Sequence, residues 1–192
     1  MKNLLLSLAL LLCITSLKAQ TFIIDPGHTA VTSKVQRFGM VDVLGRFNEV
    51  EGKIELNGSD MTSLSVDVSI KTGSYSSNNP GGENAVKSPA FLDAAKYPEI
   101  NFKSKRVNEN NGNLSITGEL TIHGVTKEVS FPFKIINPTK DPTGLNTLAA
   151  SATLEINRQD YGIKFDRKLP NGTPLIGNLV TIELNVLAAE QE

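Results

Sequence analysis

Residues 113–122 read Asn-Leu-Ser-Ile-Thr-Gly-Glu-Leu-Thr-Ile, and residues 125–135 continue Val-Thr-Lys-Glu-Val-Ser-Phe-Pro-Phe-Lys-Ile. Leu114, Ile116, Leu120 and Ile122 alternate with Ser115, Thr117, Glu119 and Thr121, and then Val129, Phe131, Phe133 and Ile135 keep the same step. A repeat of two marks a strand with one dry face and one wet face. The alternation extends in both directions. Upstream it runs through Val31 and Val35, Ile54 and Leu56, Val66 to Ile70, and Ile100 with Phe102. Downstream it runs through Ala150 to Ile156 and Val180 to Val186. Asn57-Gly58 and Asn111-Gly112 are hairpin signals, because both residue types accept positive φ. About eight strands with tight turns give an all-β sandwich or barrel.

One region departs from this rhythm. Residues 73–87 are rich in Ser, Asn, Gly and Pro and read as a flexible loop. Ser88 then offers a helix N-cap and Pro89 a first helical residue, while Pro98 disfavours helical geometry at Tyr97. The expectation is one short helix near residues 89–96, with Phe91, Leu92 and Tyr97 on its apolar face.

The first twenty residues carry a different signature. Lys2 and Asn3 precede an apolar run from Leu4 to Leu12, broken by Ser7, and Ala19 is a fitting cleavage residue. This is the pattern of a secretory signal peptide. The run is far shorter than the ~20 residues a membrane span needs. Cys13 follows a bulky Leu12, which argues against lipid attachment at that cysteine. The domain reading is therefore a signal peptide over 1–20 and one barrel domain over 21–192, periplasmic or secreted. Losing Lys2 and Lys18 takes the net charge from −1 to −3. Such a balance lacks the basic excess of a nucleic-acid binder.

Two histidines, one cysteine and no tryptophan exclude Cys-rich zinc folds and disulfide scaffolds. A metal site needs three or four converging ligands, and the histidines are far apart in sequence. No Gly-x-Ser-x-Gly segment is present, and the mature chain holds no cysteine nucleophile. No catalytic set, metal or cofactor is therefore expected.

The dry parity is filled by Val, Ile, Leu, Phe and Ala, and the wet parity by Lys, Glu, Asp, Asn and Thr. A porin-like membrane barrel would reverse this, so it is rejected. A barrel of about eight strands either packs its interior with side chains or holds one small ligand. Both alternatives stand on periodicity: a lipid-holding barrel, or a packed structural or interaction barrel without a small-molecule ligand. A third, an enzyme using a lipid-sized pocket, finds no residues to support it.

Five segments, in order, carry a family resemblance. Phe22-Ile23-Ile24-Asp25-Pro26-Gly27-His28-Thr29 resembles the opening Asp-x-x-His-Ser/Thr motif of the YceI family. Phe38-Gly39-Met40, Gly45-Arg46-Phe47 and Glu51-Gly52-Lys53-Ile54 are similar to its next strands. Lys87 to Asp93 and Lys96 to Ser104 resemble its central stretch. Gly118 to Lys127 is similar to its Gly-x-Leu-Thr-Ile-His-Gly-Val-Thr motif, and Asn157 to Gly162 to its late Asn-Arg-x-Asp-Phe/Tyr-Gly turn. The resemblance spans residues 21–188 and implies a lipocalin-like antiparallel β-barrel. It also implies an exported protein, since family members are periplasmic or secreted and some bind polyisoprenoid chains in an elongated apolar cavity. Three departures lie near the expected mouth. Gly81 to Lys87 replaces a charged Arg-Asp-x-His-Leu stretch. Phe91-Leu92 replaces an aromatic pair. Arg37 stands where many members have His.

The expected ligand is an isoprenoid or fatty-acid-like lipid. Inward parity selects Val35, Phe102, Phe131 and Phe133 for its tail, together with Phe91 from the helix. Ala152, Leu154 and Ile182 complete the set, and the small Ala150 and Ala152 leave space. Ser33, Arg37, Ser104 and Arg106 are the polar members of the inward parity. Arg37 and Arg106, toward strand ends, are the head-group candidates, because guanidinium forks match phosphate and carboxylate oxygens. His28 is read as a turn cap and His123 as outward-facing, with Thr121 and Glu119. Exposed edges would permit a homodimer, although no feature demands one.

Overall fold

The computed structural model describes residues 19–191. Residues 1–18, with Cys13 and nearly all of the expected leader, lie outside the described residues. Eleven strands follow one another: β1 (Gln20–Ile24), β2 (Ala30–Arg37), β3 (Val41–Phe47), β4 (Val50–Asn57), β5 (Asp60–Lys71), β6 (Tyr75–Ser76), β7 (Glu99–Asn110), β8 (Asn113–Ile122), β9 (Val125–Lys140), β10 (Asn146–Asn157) and β11 (Ile176–Glu190). Each pairing is antiparallel, in the order β1-β4-β5-β7-β8-β9-β10-β11-β2-β3-β6. A further pairing joins β1 to β11 and closes an eight-stranded barrel.

The long β11 explains how eleven strands make eight staves. Its residues 176–185 pair with β2, and residues 188–190 pair with β1. β1 and β2 are thus one stave, bent over residues 25–29. Asp25 makes the bend: its carboxylate accepts from the Gly27 amide at 2.8 Å and meets His28 Nδ1 at 2.7 Å. That bond is the main reason the Asp25 carboxyl lies below its ordinary value. His28 is exposed and serves the turn. β3 and β4 form a second bent stave, broken at Asn48-Glu49, with β3 pairing β2 and β4 pairing β1.

The hairpins follow their turn residues. Asn111 and Gly112 both adopt positive φ between β7 and β8. Between β4 and β5 the paired ends are Asn57 and Asp60, so Gly58 alone supplies the left-handed residue there. His123-Gly124 turns β8 into β9 with φ of 52° and 74°. The His123 ring stacks on Tyr97 with centroids 4.5 Å apart, so it is half-buried rather than turned out to solvent.

The helix is one turn-pair earlier than expected. It is α1 (Pro80–Lys87), inside the stretch read as a flexible loop. Asn79 is the N-cap, its side chain accepting from the Gly82 amide at 3.2 Å, and Pro80 is the first helical residue. The Glu83 carboxylate accepts from the Ser77 amide at 2.7 Å. Two helical glycines cost roughly 1 kcal/mol each, and these caps offset part of that. Ser88 ends the helix instead of starting one: its hydroxyl donates to the Ala85 carbonyl at 2.7 Å. The Leu92 and Ala94 amides then return to the Val86 and Lys87 carbonyls. Asp93 turns left-handed at φ 47°, so residues 89–96 form turns and no helix.

The core lies inside the barrel. At one end Phe22, Leu56, Leu148 and Ala188 are at most 1% exposed and fill the space between staves. Farther along, Tyr75 leans inward across Gly45, edge-on to Phe47 at 5.4 Å. A Cβ at Gly45 would lie 2.2 Å from the Tyr75 ring. Gly45→Ala is therefore expected to cost about 1–3 kcal/mol by overpacking, measured by urea denaturation. In a Tyr75→Ala background the same change should cost much less; equal costs in both backgrounds would contradict this packing.

Candidate functional site: the barrel cavity

Beyond the packed end the barrel is hollow. The cavity measures about 760 Å³, inside the range of roughly 300–1,000 Å³ common for small-molecule sites. Its walls are the inward residues of the staves. Strands of twelve or more residues such as β10 and β11, rising ~3.3 Å per residue and tilted by ~40°, make a barrel about 30 Å tall. The open end is covered in part by α1, by the turns of residues 88–97, and by the irregular segment 163–175.

The seven apolar residues selected by parity, and Phe91, all line this cavity. Val35, Phe102, Phe131 and Phe133 form part of the wall, and Ala152, Leu154 and Ile182 lie on β10 and β11, between the staves of Phe133 and Val35. Phe102 and Phe131 stack obliquely, 5.6 Å between centroids. Phe91 reaches the cavity from the turn after α1 and meets Phe165 at 4.8 Å. Ala150 also lines the wall. Ser33 lines it as well, beside Tyr75, whose phenol burial pushes above its ordinary value.

Arg37 lines the rim, but Arg106 does not. A β-bulge separates Ser104, opposite Gly118, from Arg106, opposite Thr117. The extra residue reverses the parity of all that follows. Val107 consequently turns inward and is buried, whereas Arg106 is exposed with Glu128 3.8 Å away. Ser104 stays half-buried at the bulge, its hydroxyl accepting from the Val66 amide at 2.8 Å.

The sequence reading quoted Arg158 only as part of the late Asn157 to Gly162 motif, and selected neither it nor Phe165 or Arg167 for the cavity. Arg158 begins a 3-10 turn (Arg158–Tyr161), and the other two follow in a segment without regular repeat, so parity is silent there. Arg158 is 4% exposed. Its guanidinium donates to the carbonyls of Gly177 (3.0 Å), Ile163 (2.7 Å) and Phe165 (2.6 Å), and to Asn178 Oδ1 (2.8 Å). Burial pushes its pKa below the ordinary arginine value, and the charge of Asp166 opposes that shift. One planar cation thereby ties residues 163–165 to residues 177–178 across the open end. Among the described residues, no three His, Cys, Asp or Glu side chains gather as a metal site. No helix of the described residues is long and apolar enough to cross a membrane.

Arg158→Lys is expected to destabilise the fold by about 3 kcal/mol, since a single ammonium cannot satisfy carbonyls lying in several directions. Amide hydrogen exchange should accelerate across residues 163–178 before the rest of the barrel. Unchanged exchange in that segment would contradict the tie.

Residues 22–188 match the model of the YceI-like domain. A UPF0312 protein of Shewanella denitrificans is 35% identical over 170 residues, covering 86% of this chain and 89% of the relative. Among solved structures, BcnA of Burkholderia cenocepacia superposes with a TM-score of 0.74 at 19% identity, covering 85% of this chain and 98% of BcnA. A polyisoprenoid binding domain from Saccharophagus degradans superposes with a TM-score of 0.68 at 12% identity, covering 88% and 98%. At these identities the structures speak for the fold alone. The family match and the Shewanella relative establish that the chain belongs to the YceI family.

Proposed function

We propose that this YceI-family chain holds a polyisoprenoid or other long-chain apolar lipid in its barrel cavity. The observation that carries this reading is the 760 Å³ cavity, apolar along its length and open at one end. Each methylene moved from water to such a wall is worth ~0.8 kcal/mol, so a long tail binds without any polar anchor. The Saccharophagus neighbour, a polyisoprenoid binding domain on the same fold, supports the same ligand class.

The tail would lie against Val35, Phe102, Phe131, Phe133, Leu154 and Ile182, with Phe91 near the mouth. The action is binding and shielding, without chemistry, in transport, storage or stress protection. The leader read over residues 1–20 would deliver the protein to the periplasm or the medium. A packed barrel without ligand is the weaker reading, since side chains leave this volume unfilled.

Ala152 tests the site. Ala152→Phe places a ring into the cavity and is expected to weaken geranylgeraniol binding at least ~10-fold by calorimetric titration, with the thermal transition still cooperative. The smaller Ala150→Leu should weaken it less. Wild-type affinity in a folded Ala152→Phe variant would place the ligand elsewhere.

A further inference from the structure

Six large apolar side chains are exposed among the described residues, and four of them gather at one place. Met40 (81% exposed) and Val41 (56%) form the tip of the β2–β3 hairpin. Leu44 and Leu179 lie on the outer wall below the tip. Leu44 is the strand partner of Lys34, and Lys34 of Thr181, two residues from Leu179. The other two, Ile23 and Ile136, belong to the packed end, opposite Ala189 and Ala149. The hairpin tip is also part of the cavity rim. Phe38 and Val43 line the cavity, and Val41 continues the face of Val43 past the rim.

The tip is held out rigidly. Phe38 and Gly39 take φ of 58° and 68°, and the Met40 amide donates to the Arg37 carbonyl at 3.0 Å. This is a two-residue hairpin turn with both central residues left-handed. A bulky side chain rarely adopts such a φ, and surrounding structure has to enforce it. Here the Phe38 amide donates to the Leu175 carbonyl at 3.0 Å, and Gly39 backs onto Thr173, whose methyl would lie 3.0 Å from an added Cβ. Residues 168–174 form a second turn alongside, closed by the Leu169 amide on the Thr173 carbonyl at 2.8 Å. Two turns thus stand side by side at the mouth.

Charge is distributed unevenly around them. Over residues 34–44 and the cover, residues 80–97 and 163–175, seven Lys and Arg stand against four Asp and Glu. The rest of the chain has twelve against sixteen. None of those seven basic side chains makes an ion pair among the described residues, whereas Lys53, Lys71 and Lys105 on the outer wall are paired. Lys164, Arg167 and Lys168 are exposed beside the second turn.

We infer that this lip docks on a bilayer carrying anionic phospholipids. Met40 and Val41 enter the interfacial layer, and Lys164, Arg167 and Lys168 lie against its phosphates. Exposed apolar area and attraction to anionic lipid together set the strength of such docking. A convex tip of two apolar side chains offers far less than the ~800 Å² a side of a stable protein interface. It suits a fluid surface that closes around it. Docking would set the cavity mouth on the membrane from which an apolar chain is taken or to which it is given. That role rests on the lipid-holding reading above.

Tryptophan fluorescence tests the docking, because the chain has no tryptophan of its own. Met40→Trp and Ile136→Trp are each mixed with phosphatidylcholine vesicles, with or without about one third phosphatidylglycerol. The Met40→Trp emission should shift to the blue with phosphatidylglycerol and be quenched by brominated lipid, while Ile136→Trp stays as in water. Affinity for the anionic vesicles should be at least ~10-fold higher than for phosphatidylcholine alone, and should fall as salt rises. In flotation, Met40→Gln/Val41→Thr and Lys164→Gln/Lys168→Gln, each checked for folding by its thermal transition, should bind at least ~3-fold more weakly than wild type. An unchanged Met40→Trp spectrum with all vesicles would overturn the docking. Equal shifts in both Trp variants would overturn the assignment to this lip. A blue shift that grows with protein concentration without vesicles would place a second copy there instead. Titration of the same protein with geranylgeraniol separates the two readings: ligand binding without docking overturns this inference alone, and docking without ligand binding overturns the lipid-holding reading alone.

Discussion

Three residue pairs close this barrel: Phe22 with Glu190, Ile23 with Ala189, and Ile24 with Ala188. Without them β1 and β11 would each present an unpaired edge over these residues, and open edges invite pairing with other chains. With them, every stave from β1 round to β11 has two neighbours, and one face of the sheet becomes a shared interior. Closure also fixes parity. Phe22 must point inward opposite Ile54, and its neighbours Leu56 and Ala188 join it in the packed end. The bend at Asp25 to Thr29 lets the same stave continue into β2 along the rest of β11.

A closed barrel of this size has to be either filled or hollow, and this one is both along its axis. At the packed end, large and small side chains interdigitate with almost no exposure. Toward the mouth, the small Ala150 and Ala152 stand on β10 beside Ile135 and Phe133 of β9, and the side chains leave the space unfilled. The open end has no strand to cap it. Its cover is made of turns, and turns need hydrogen bonds that no ladder supplies. Arg158 meets part of that need with one buried cation serving several carbonyls. The charged side chains of the lining, Arg37, Arg158 and Arg167, also make the mouth electropositive.

The strands and the wall of the cavity were legible in the sequence, because pleating is local. Alternation from Leu114 to Ile135 reports the facing of each side chain without knowledge of its neighbours. Seven of the eight apolar wall residues follow from that parity, and Phe91 was chosen instead from the helix expected over residues 89–96. Arg106 did not, because one extra residue at the β7 bulge reverses the count and nothing in Lys103-Ser104-Lys105 announces it. The helix was misplaced because two cap signals compete within ten residues, Asn79-Pro80 and Ser88-Pro89. Tertiary bonds decide between them: Glu83 to Ser77, and the returns of Leu92 and Ala94 to the end of α1. Arg158, quoted only within a motif, and Arg167 were not placed at the cavity for a different reason. They lie where the backbone has no period, so their facing is set by contacts distant in sequence.

The central claim is that the hollow part of this barrel is a place for an apolar chain. Native mass spectrometry of the protein purified from a bacterial host, followed by solvent extraction, tests it most directly. The account predicts one stoichiometric apolar species of defined mass travelling with the protein. A clean ligand-free mass, unchanged after incubation with long-chain isoprenoids and fatty acids, would contradict it.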